Sequence, residues 1–351
     1  MRFRPPAFFA PLSLCAFAFL LATGISGTPQ GQGQRVVAIG DIHGDLDSFV
    51  GILQRARLID PVRRWSGAKS ILVQTGDFLD RGPKSREVMD LLIALQRDAQ
   101  RQGGRVVVLM GNHEAMNIVG DLRYVVNQDY AGFADDRADT RKRKADSSRP
   151  AGFAERCEAF GPEGKYGRWL RSLPAVARVD DSVFLHGGIS PDLATSSIEK
   201  INEGIASEIK AFDTLRDFLV DKDIAEPCDT LDKLTESARA ALDKAKGRDA
   251  ELLKTFLGYP GWLMFHDNGP LWYRGYAQWT DANGAPLIQR LVEAFGVARF
   301  VVGHTPQPGG QIGTRFNGKI YLVDTGMLAG YVPGGRASAL NMQDGKISFV
   351  Y

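Results

Sequence analysis

The chain has 351 residues, of which 44% are hydrophobic and 24% charged, and its formal net charge is +2. This composition excludes a disordered or collagen-like chain, and the balanced charge gives no indication of nucleic-acid binding. The densest basic run, RKRK at 141–144, is flanked by acidic residues and is interpreted as a solvated loop.

The first predicted element is an N-terminal export signal. Arg2 and Arg4 precede an apolar segment from about Ala7 to Ala22, which is followed by small residues and a Gly/Gln-rich spacer. Because this order is typical of a secretory signal peptide, residues 1–34 are predicted to be a signal and spacer. We therefore expect an exported protein, periplasmic or secreted, with no stable membrane insertion after cleavage. An uncleaved N-terminal membrane anchor is the open alternative, since the apolar segment is close to the length that spans a bilayer.

Apolar runs of strand type alternate with amphipathic helical patterns from residue 35 onward. RVVAI precedes the helical LDSFVGILQRARLI, SILVQT precedes REVMDLLIALQRDAQRQ, and RVVVLM returns to a strand. Residues 175–188 are predicted to form a hairpin that turns at Asp180 and Asp181, and RFVVGHT, IYLVDTG and ISFVY supply later strands. This alternation indicates βαβ units, so we predict an α/β sandwich of strands with flanking helices.

Two stretches interrupt the strand pattern. Residues 130–165 are charged and irregular, whereas 195–256 have a helical pattern. Apolar residues recur there at steps of three and four: Ile198, Ile201, Ile205, Ile209, Phe212 and Leu215. That stripe is interpreted as packing. We predict a single domain over residues 35–351 with cap-like insertions at about 130–165 and 195–256.

Two cysteines, Cys157 and Cys228, lie beyond the predicted signal. An exported protein meets an oxidising compartment, in which two thiols can pair. Neither cysteine lies near a motif of ligand-type residues, which argues against a metal or nucleophile role. A disulfide and two free structural thiols both remain open at this point.

Five apolar runs each lead directly into a short stretch that contains glycine and a residue of ligand type. They are VVAIGDIHGD (36–45), ILVQTGDFLDRG (71–82), VVVLMGNHE (106–114), VFLHGG (183–188) and FVVGHT (300–305). Gly and Asp are ordinary turn residues, but four of the five histidines in the chain lie in these stretches: His43, His113, His186 and His304. Because ligands collect at the carboxyl ends of strands in open α/β sheets, we predict that the five stretches converge on one site.

The side chains gathered in this way are of metal-ligand type. The predicted metal ligands are Asp41, His43, Asp77, Asn112, His186 and His304. Carboxylate, imidazole and amide donors without thiolate suit divalent manganese, iron or zinc. Six ligands are too many for one catalytic ion with open positions, so the pattern favours two divalent metal ions that share one carboxylate.

The motifs G-D-x-H-G, G-D-x-x-D-R-G, G-N-H-E and H-G-G, in this order, resemble the metallophosphoesterases of the phosphoprotein phosphatase family. VQTGDFLDRGPKS, LMGNHEAMNIVGDLRYV and FVVGHTPQ are most similar to its Shewanella-like branch. The resemblance covers about residues 36–330. It implies an α/β fold of metallophosphoesterase type, in which two mixed β-sheets are flanked by helices and carry a helical cap insertion.

The resemblance also implies roles for individual residues. It assigns Asp41, His43 and Asp77 to one ion, and Asp77, Asn112, His186 and His304 to the other, with Asp77 as the bridge. Asn112 as a simple turn residue is the alternative. Manganese is the expected metal, with iron or zinc as alternatives.

Four further residues are implied to be catalytic: His113, Asp80, Arg81 and Arg274. His113 would protonate the leaving oxygen with support from Asp80, and the two arginines would bind phosphate oxygens through their planar guanidinium groups. Two alternatives stay open, since Asp80 could cap the helix that begins near Pro83 and Arg274 could form a surface salt bridge. Glu114 is expected to support the ligands without binding metal.

The implied function is a metal-dependent phosphoprotein or phosphomonoester phosphatase acting on phosphotyrosine or phosphoserine/threonine. Hydrolysis would proceed by direct attack of a metal-bridging hydroxide, without a phosphoenzyme. The expected partners are a phosphorylated protein or a small phosphomonoester. A hydrolase similar to diadenosine tetraphosphatases is one alternative, although export would separate it from cytosolic dinucleotides. A non-catalytic module that binds phosphorylated partners is the other, but binding alone needs no proton donor such as His113.

Overall fold

The structure is a computed structural model and describes residues 34–134 and 149–351. The predicted signal, apart from its last residue, and the RKRK run therefore lie outside the described residues. Within the described ranges, no helix is long and apolar enough to cross a membrane. The contacts of Gln34–Tyr351 group this part of the chain into one compact unit.

Strands in the described residues form two five-stranded sheets. The strands are β1 (Val36–Ile39), β2 (Ile71–Gln74), β3 (Arg105–Val108), β4 (Val176–Val179), β5 (Ser182–Leu185), β6 (Arg299–Val302), β7 (Gly313–Arg315), β8 (Ile320–Leu322), β9 (Ala339–Gln343) and β10 (Lys346–Val350). The first sheet has the order β10-β9-β1-β2-β3 and the second β4-β5-β6-β8-β7. β1, β2 and β3 are mutually parallel, as are β5, β6 and β8, and the other pairs are antiparallel. Both sheets are mixed, which confirms the predicted fold class.

The two sheets share a buried apolar cluster. Val36 and Ala38 of β1 belong to the same cluster as Phe184 of β5 and Val301 of β6. Because side chains alternate along a strand, the intervening Val37 of β1 belongs instead to a second cluster that includes helical residues. β1 is therefore buried on both faces, and β2 and β5 are also buried along their whole length, which explains why these strands are apolar runs in the sequence.

Helices in the described residues occupy the intervals between strands. They are α1 (Leu46–Arg55), α2 (Ser85–Arg101), α3 (Asn112–Val119), α4 (Asn127–Ala131), α5 (Phe153–Phe160), α6 (Lys165–Arg171), α7 (Ile198–Asp221), α8 (Leu231–Leu242), α9 (Gly247–Leu257), α10 (Gly275–Gln278) and α11 (Asp281–Phe295). α1 and α2 are the two helices predicted after the first two strands. The predicted hairpin is also present, since β4 pairs with β5 and Asp180 turns the chain with a φ of 51°.

The stretch at 195–256 is helical, as predicted, and comprises α7, α8 and α9. Ile201, Ile205, Ile209, Phe212 and Leu215 of the apolar stripe are buried, and Ile198 packs against the same cluster while partly exposed. The stripe is therefore packing, as the sequence indicated. The cap-like roles of 130–165 and 195–256 stay predictions.

Cys157 of α5 and Cys228, before α8, form a disulfide with their Cα atoms 5.9 Å apart. This bond decides between the two alternatives that the sequence left open. It joins the two stretches that interrupt the strand pattern, over a sequence separation of 71 residues.

Candidate active site

Polar side chains meet where parallel strands of both sheets end. In the first sheet, β1, β2 and β3 each end just before one or two predicted ligands. In the second sheet, β5 and β6 do the same. All six predicted ligands are buried, with exposed fractions of 5% or less: Asp41, His43, Asp77, Asn112, His186 and His304. The structure thus brings the whole predicted ligand set together.

A glycine adjoins each predicted ligand, and the strand ends approach one another closely at the positions of these glycines. A Cβ on Gly76 would lie 2.5 Å from the backbone nitrogen of Gly111, and one on Gly111 would lie 2.3 Å from Asp77 Oδ1. Gly76 also has a φ of +92°, which only glycine adopts readily. The glycine next to each ligand is therefore a packing requirement of the site.

Five of the predicted site residues have a left-handed backbone although none is glycine. Their φ angles are 49° at His43, 55° at Asp77, 69° at Asp80, 68° at Arg81 and 67° at His304. Such conformations cost roughly 1–3 kcal/mol each and persist only where the surrounding structure enforces them. Their concentration at the strand ends marks this region as functionally constrained.

The protons on two histidines can be assigned from their partners. His186 Nδ1 lies 2.9 Å from the carbonyl of Thr75, and His304 Nε2 lies 3.0 Å from the carbonyl of Trp272. A carbonyl oxygen only accepts, so these ring nitrogens donate, and in a neutral ring the opposite nitrogen carries a lone pair. In their neutral forms His186 Nε2 and His304 Nδ1 are therefore both acceptors, and they face each other at 3.1 Å.

The six predicted ligands form two donor sets, and the first contains His186 and His304. Two oxygen atoms complete this first set. Asn112 Oδ1 lies 2.9 Å from His186 Nε2, and Asp77 Oδ2 lies 3.1 Å from the same nitrogen. When both rings are neutral and share no proton, these four acceptor atoms repel one another, and a cation among them would relieve that repulsion. The donor set of imidazole, carboxylate and amide therefore fits a divalent metal ion.

The second donor set contains His43, Asp41 and Asp77, and its histidine also has one ring nitrogen held by a backbone carbonyl. His43 Nδ1 lies 2.9 Å from the carbonyl of Leu79, so His43 Nε2 carries the lone pair. That nitrogen is 3.9 Å from Asp41 Oδ2 and 3.9 Å from Asp77 Oδ2. Asp77 Oδ2 is thus common to both donor sets, and the residues could hold two metal ions with one shared carboxylate.

Burial and mutual repulsion alter the acidity of these carboxyl groups. Burial, together with the charges of Asp324 and Asp77, raises the pKa of Asp41 well above its ordinary value. Burial also opposes ionisation of Asp77, but His186 and His113 outweigh it and hold the pKa of Asp77 well below its ordinary value. Asp77 therefore stays ionised, and a cation near Asp41 would relieve the cost of ionising that group.

Asp324, which follows β8, is a site residue that the sequence prediction missed. Its side chain is 3% exposed, and its Oδ1 accepts a hydrogen bond of 3.0 Å from the backbone of Gly326. Burial raises the pKa of Asp324 to about 6. The signal was present in IYLVDTG, where an apolar run is followed at once by a carboxylate, as in the other motifs.

Glu114 supports the ligands from behind. Its carboxylate accepts four backbone hydrogen bonds, from Asp77, Phe78, Leu79 and Gly111, at 2.7–3.1 Å. The turn that carries Asp77 is thereby tied to the start of α3, which carries Asn112. The Glu114 oxygens are engaged by these backbone donors, in agreement with the supporting role expected from the sequence.

His113 and Asp80 form a buried pair beside the ligands. His113 Nδ1 lies 2.7 Å from Asp80 Oδ2, and its Nε2 is 3.8 Å from Asp77 Oδ2. Burial would lower the pKa of His113, but Asp77 and Asp80 outweigh it and raise that pKa. Asp80 does not cap α2, whose N-cap is Lys84. The position of His113 Nε2 also groups it with His43 and Asp77 as a potential metal ligand.

The two predicted arginines border the two donor sets. The Arg81 guanidinium contacts His43 Nε2 and lies 4.2 Å from the ring centroid of Tyr331. Arg274 donates from Nη1 to the carbonyl of His304 at 2.7 Å and to Thr305 Oγ1 at 3.1 Å. Arg274 is therefore attached to the site, and among residues 34–134 and 149–351 it does not form the surface salt bridge considered from the sequence.

Two exposed tyrosines flank Arg81, and sequence reasoning did not identify them. Tyr331 is 44% exposed and Tyr124 is 41% exposed, and the Arg81 guanidinium lies 5.4 Å from the Tyr124 ring centroid. Tyr124 also contacts the ring of His113, with centroids 5.1 Å apart. Neither tyrosine lies in a strand-end motif, so the pattern that located the ligands gave no signal for them.

Comparisons with known proteins agree with this geometry. The calcineurin-like phosphoesterase family profile matches residues 34–308. The chain is 30% identical over 329 residues to Shewanella-like protein phosphatase 2 of Arabidopsis thaliana, covering 86% of this chain and 73% of the relative. It is 28% identical over 293 residues to Shewanella-like protein phosphatase 1 of Plasmodium berghei, covering 84% and 67%.

A solved structure is also similar. The cold-active protein-tyrosine phosphatase of a psychrophilic Shewanella species superimposes with a TM-score of 0.62 at 26% identity, covering 90% of this chain and 77% of that one. The predicted resemblance to the metallophosphoesterases and to the Shewanella-like branch is thus confirmed. The chain belongs to the calcineurin-like phosphoesterase family and is a metal-dependent hydrolase of phosphoesters.

Proposed function

We propose that the protein removes phosphate from phosphorylated proteins or small phosphomonoesters, by direct attack of hydroxide on phosphorus and without a phosphoenzyme. The observation that carries the proposal is the position of Asp77 Oδ2. It lies 3.1 Å from His186 Nε2, 3.9 Å from His43 Nε2 and 3.8 Å from His113 Nε2. One ionised carboxylate at the junction of two donor sets is what a dinuclear phosphoesterase centre requires.

Two divalent ions are proposed, with manganese as the first candidate and iron or zinc as alternatives. Asp41, His43 and Asp77 would hold one ion. Asp77 would also bind the second ion, together with the other three predicted ligands: Asn112, His186 and His304. When bound, the ions supply Lewis acidity, which lowers the pKa of water and offsets the charge of phosphoryl oxygens.

Side chains of the chain itself are proposed to do the rest. Arg81 and Arg274 offer planar guanidinium groups to the phosphoryl oxygens, where negative charge must be stabilised. His113 Nε2 donates a proton to the leaving oxygen, while Asp80 holds the proton on Nδ1 and so fixes the ring. The raised pKa of His113 supports this role, because it favours the protonated form.

Phosphotyrosine, phosphoserine and phosphothreonine are the proposed substrate residues. Similarity to two Shewanella-like protein phosphatases supports activity on phosphorylated proteins, and similarity to the Shewanella protein-tyrosine phosphatase supports activity on phosphotyrosine. The exposed rings of Tyr124 and Tyr331 lie beside Arg81 and offer apolar surface to a group attached to the phosphate. This surface suits the aromatic ring or peptide next to a phosphoryl group.

Export to an oxidising compartment is also proposed. The charged and apolar pattern of residues 1–34 and the disulfide between Cys157 and Cys228 both support it. N-terminal sequencing of the protein from its native host tests the proposal. A mature chain that begins near residue 35 is expected, and a full-length chain beginning at Met1 would contradict signal cleavage.

The function itself is tested by comparing kcat/KM for three substrates after repletion with manganese. These are a phosphotyrosine peptide, a phosphoserine peptide and diadenosine tetraphosphate, and Asp77→Asn serves as the inactive control. A peptide is expected to be preferred. A preference for the dinucleotide above about a hundredfold, roughly 2.7 kcal/mol, would overturn the proposal. Metal-loaded protein that hydrolyses none of the three would instead indicate a binding module.

A further inference from the structure

Behind Asp80 lies a closed circuit of buried hydrogen bonds that the mechanism above does not use. Asn117 Nδ2 donates to Asp80 Oδ1 at 2.9 Å, and Arg156 Nη2 donates to Asn117 Oδ1 at 2.6 Å. Arg156 Nε also donates to the carboxylate of Asp129 at 3.2 Å. The other oxygen of Asp129 accepts from the backbone N–H of Ser85 at 3.1 Å. Ser85 Oγ in turn accepts from the backbone N–H of Asp80 at 3.2 Å, which closes the circuit. The circuit therefore begins and ends at the residue whose carboxylate holds His113.

We propose that Asn117 and Arg156 are positioning residues for His113, which they orient through Asp80. The inference rests on the proposed role of His113 as proton donor. Asp80 can hold the Nδ1 proton of His113 in a fixed direction only if its own carboxylate is fixed. Asn117 binds the oxygen that His113 does not use, so the two contacts together define the plane of the carboxylate.

Arg156 determines which way the Asn117 amide faces. A guanidinium group only donates hydrogen bonds, so the atom of Asn117 that it contacts must be the carbonyl oxygen. The amide nitrogen is then directed to Asp80, and it donates in addition to the carbonyl of His113 at 2.8 Å. Without Arg156 the amide could rotate and present an acceptor to a carboxylate.

The side chains of the circuit are almost completely buried, so water cannot replace the hydrogen bonds between them. Exposed fractions are 0% for Asp80, 4% for Asn117, 1% for Asp129 and 2% for Arg156. A buried arginine is costly unless its donors are satisfied and its charge is balanced, and here Asp129 balances it. The ring centroid of Phe160 lies 4.1 Å from the guanidinium carbon and closes the other side.

The position of Arg156 in the sequence gives the charged stretch at 130–165 a role. Arg156 lies in α5, one residue before Cys157, and the disulfide ties that helix to Cys228. Asp129 lies in α4, immediately before that stretch, so two helices outside the strand-end motifs hold the back of the pair formed by Asp80 and His113. No local sequence pattern would connect these residues to His113.

A proton donor matters most when the leaving group is poor, and this gives the test its specificity. Asn117→Asp has the size of asparagine and can still accept from Arg156, but it cannot donate to Asp80. Arg156→Met removes the guanidinium. Arg216→Met is the matched control, because Arg216 donates to the carbonyl of Ile118 on the same helix as Asn117 but is not a member of the circuit.

The measurement is kcat for a phosphoserine peptide, which has a poor leaving group, and for 4-nitrophenyl phosphate, which has a good one. Metal content and thermal unfolding are recorded for every variant. Asn117→Asp and Arg156→Met are expected to lose at least about tenfold more kcat with the peptide than with the nitrophenyl ester, at unchanged metal content. Arg216→Met is expected to show no such difference.

Equal losses on both substrates, or loss of metal in the two circuit variants, would show a purely structural role and overturn the inference. A wild-type protein that hydrolyses neither ester would overturn the proposed function, and the inference with it. A readout independent of activity is the ¹⁵N NMR spectrum of the histidines. The Nδ1 proton of His113 is expected to be held in the wild type and to exchange faster in Asn117→Asp, whereas unchanged exchange would contradict positioning.

Discussion

His186 Nε2 and His304 Nδ1 lie 3.1 Å apart, and in the neutral rings both atoms carry lone pairs because the opposite ring nitrogens donate to backbone carbonyls. Two buried acceptors at this distance repel each other. Asp77 and Asn112 add further acceptor oxygens around His186. A cation between the rings would relieve this repulsion, so the donor geometry fits metal binding in the folded state.

Neighbouring histidines are therefore expected to respond differently to substitution. His186→Asn should lose metal, because it removes a nitrogen at the centre of one donor set. His113→Asn should keep nearly normal metal content but lose roughly 10²–10⁴-fold in kcat, the typical contribution of a general acid. Metal analysis and steady-state kinetics on the two purified variants decide the matter. Equal loss of metal in both would make His113 a ligand.

Asp324 is expected to give the metal-free protein a distinctive pH dependence. Burial raises its pKa from 3.8 to about 6, so the folded state holds this proton more tightly than the unfolded state. Its contribution to the free energy of unfolding is therefore fully present below about pH 4 and is lost as the pH rises through about 6. Asp324→Asn cannot ionise and should gain stability relative to the wild type over that interval. Urea unfolding of both proteins without metal tests this, and a stability difference independent of pH would contradict it.

Tyr331 is expected to support substrate binding by holding Arg81. A cation–π contact is worth roughly 0.5–2 kcal/mol, so Tyr331→Ala should lower kcat/KM by a factor of about 2–30. Phe349→Ala is the control, because Phe349 is a similarly exposed aromatic residue, 41% exposed, in β10. An equal effect of the two substitutions would show that Tyr331 has no special role.

The disulfide is expected to contribute substantially to stability. Cys157 and Cys228 close a loop of 71 residues, for which restriction of the unfolded chain corresponds to about 4 kcal/mol. Replacing both cysteines with alanine should lower the free energy of unfolding by an amount of this order, measured with urea. Reductant should shift the wild type towards the variant and leave the variant unchanged. A wild-type urea midpoint that does not respond to reductant would contradict the prediction.

Local pattern was sufficient to predict that the six proposed ligands come together, because one simple rule gives their positions. Each of β1, β2, β3, β5 and β6 is an apolar run, and parallel strands present their carboxyl ends at the same edge of a sheet. Asp324 after β8 obeys the same rule, because in IYLVDTG an apolar run also ends in a carboxylate. By contrast, β9 was missed because ALNMQ contains few strand-forming residues, and it is a strand through its pairing with β1 and β10.

The residues behind and around the site could not be predicted in this way. Arg156 is 39 residues from Asn117 and 27 residues from Asp129 in the sequence, and only folding brings these side chains into contact. Tyr331 lies in a loop between β8 and β9 without helical or strand periodicity. Long-range hydrogen bonds and loop positions leave no periodic trace in a sequence, so such residues emerge only from the structure.

Metal stoichiometry measured together with activity tests the central claim most directly. The protein is stripped with a chelator, dialysed and titrated with Mn²⁺, while bound metal and hydrolysis of 4-nitrophenyl phosphate are measured at each step. Activity is expected to vanish on stripping and to reach its maximum at two ions per chain, with Asp77→Asn failing to recover. Full activity with one ion, or activity unaffected by removal of metal, would contradict a dinuclear phosphatase.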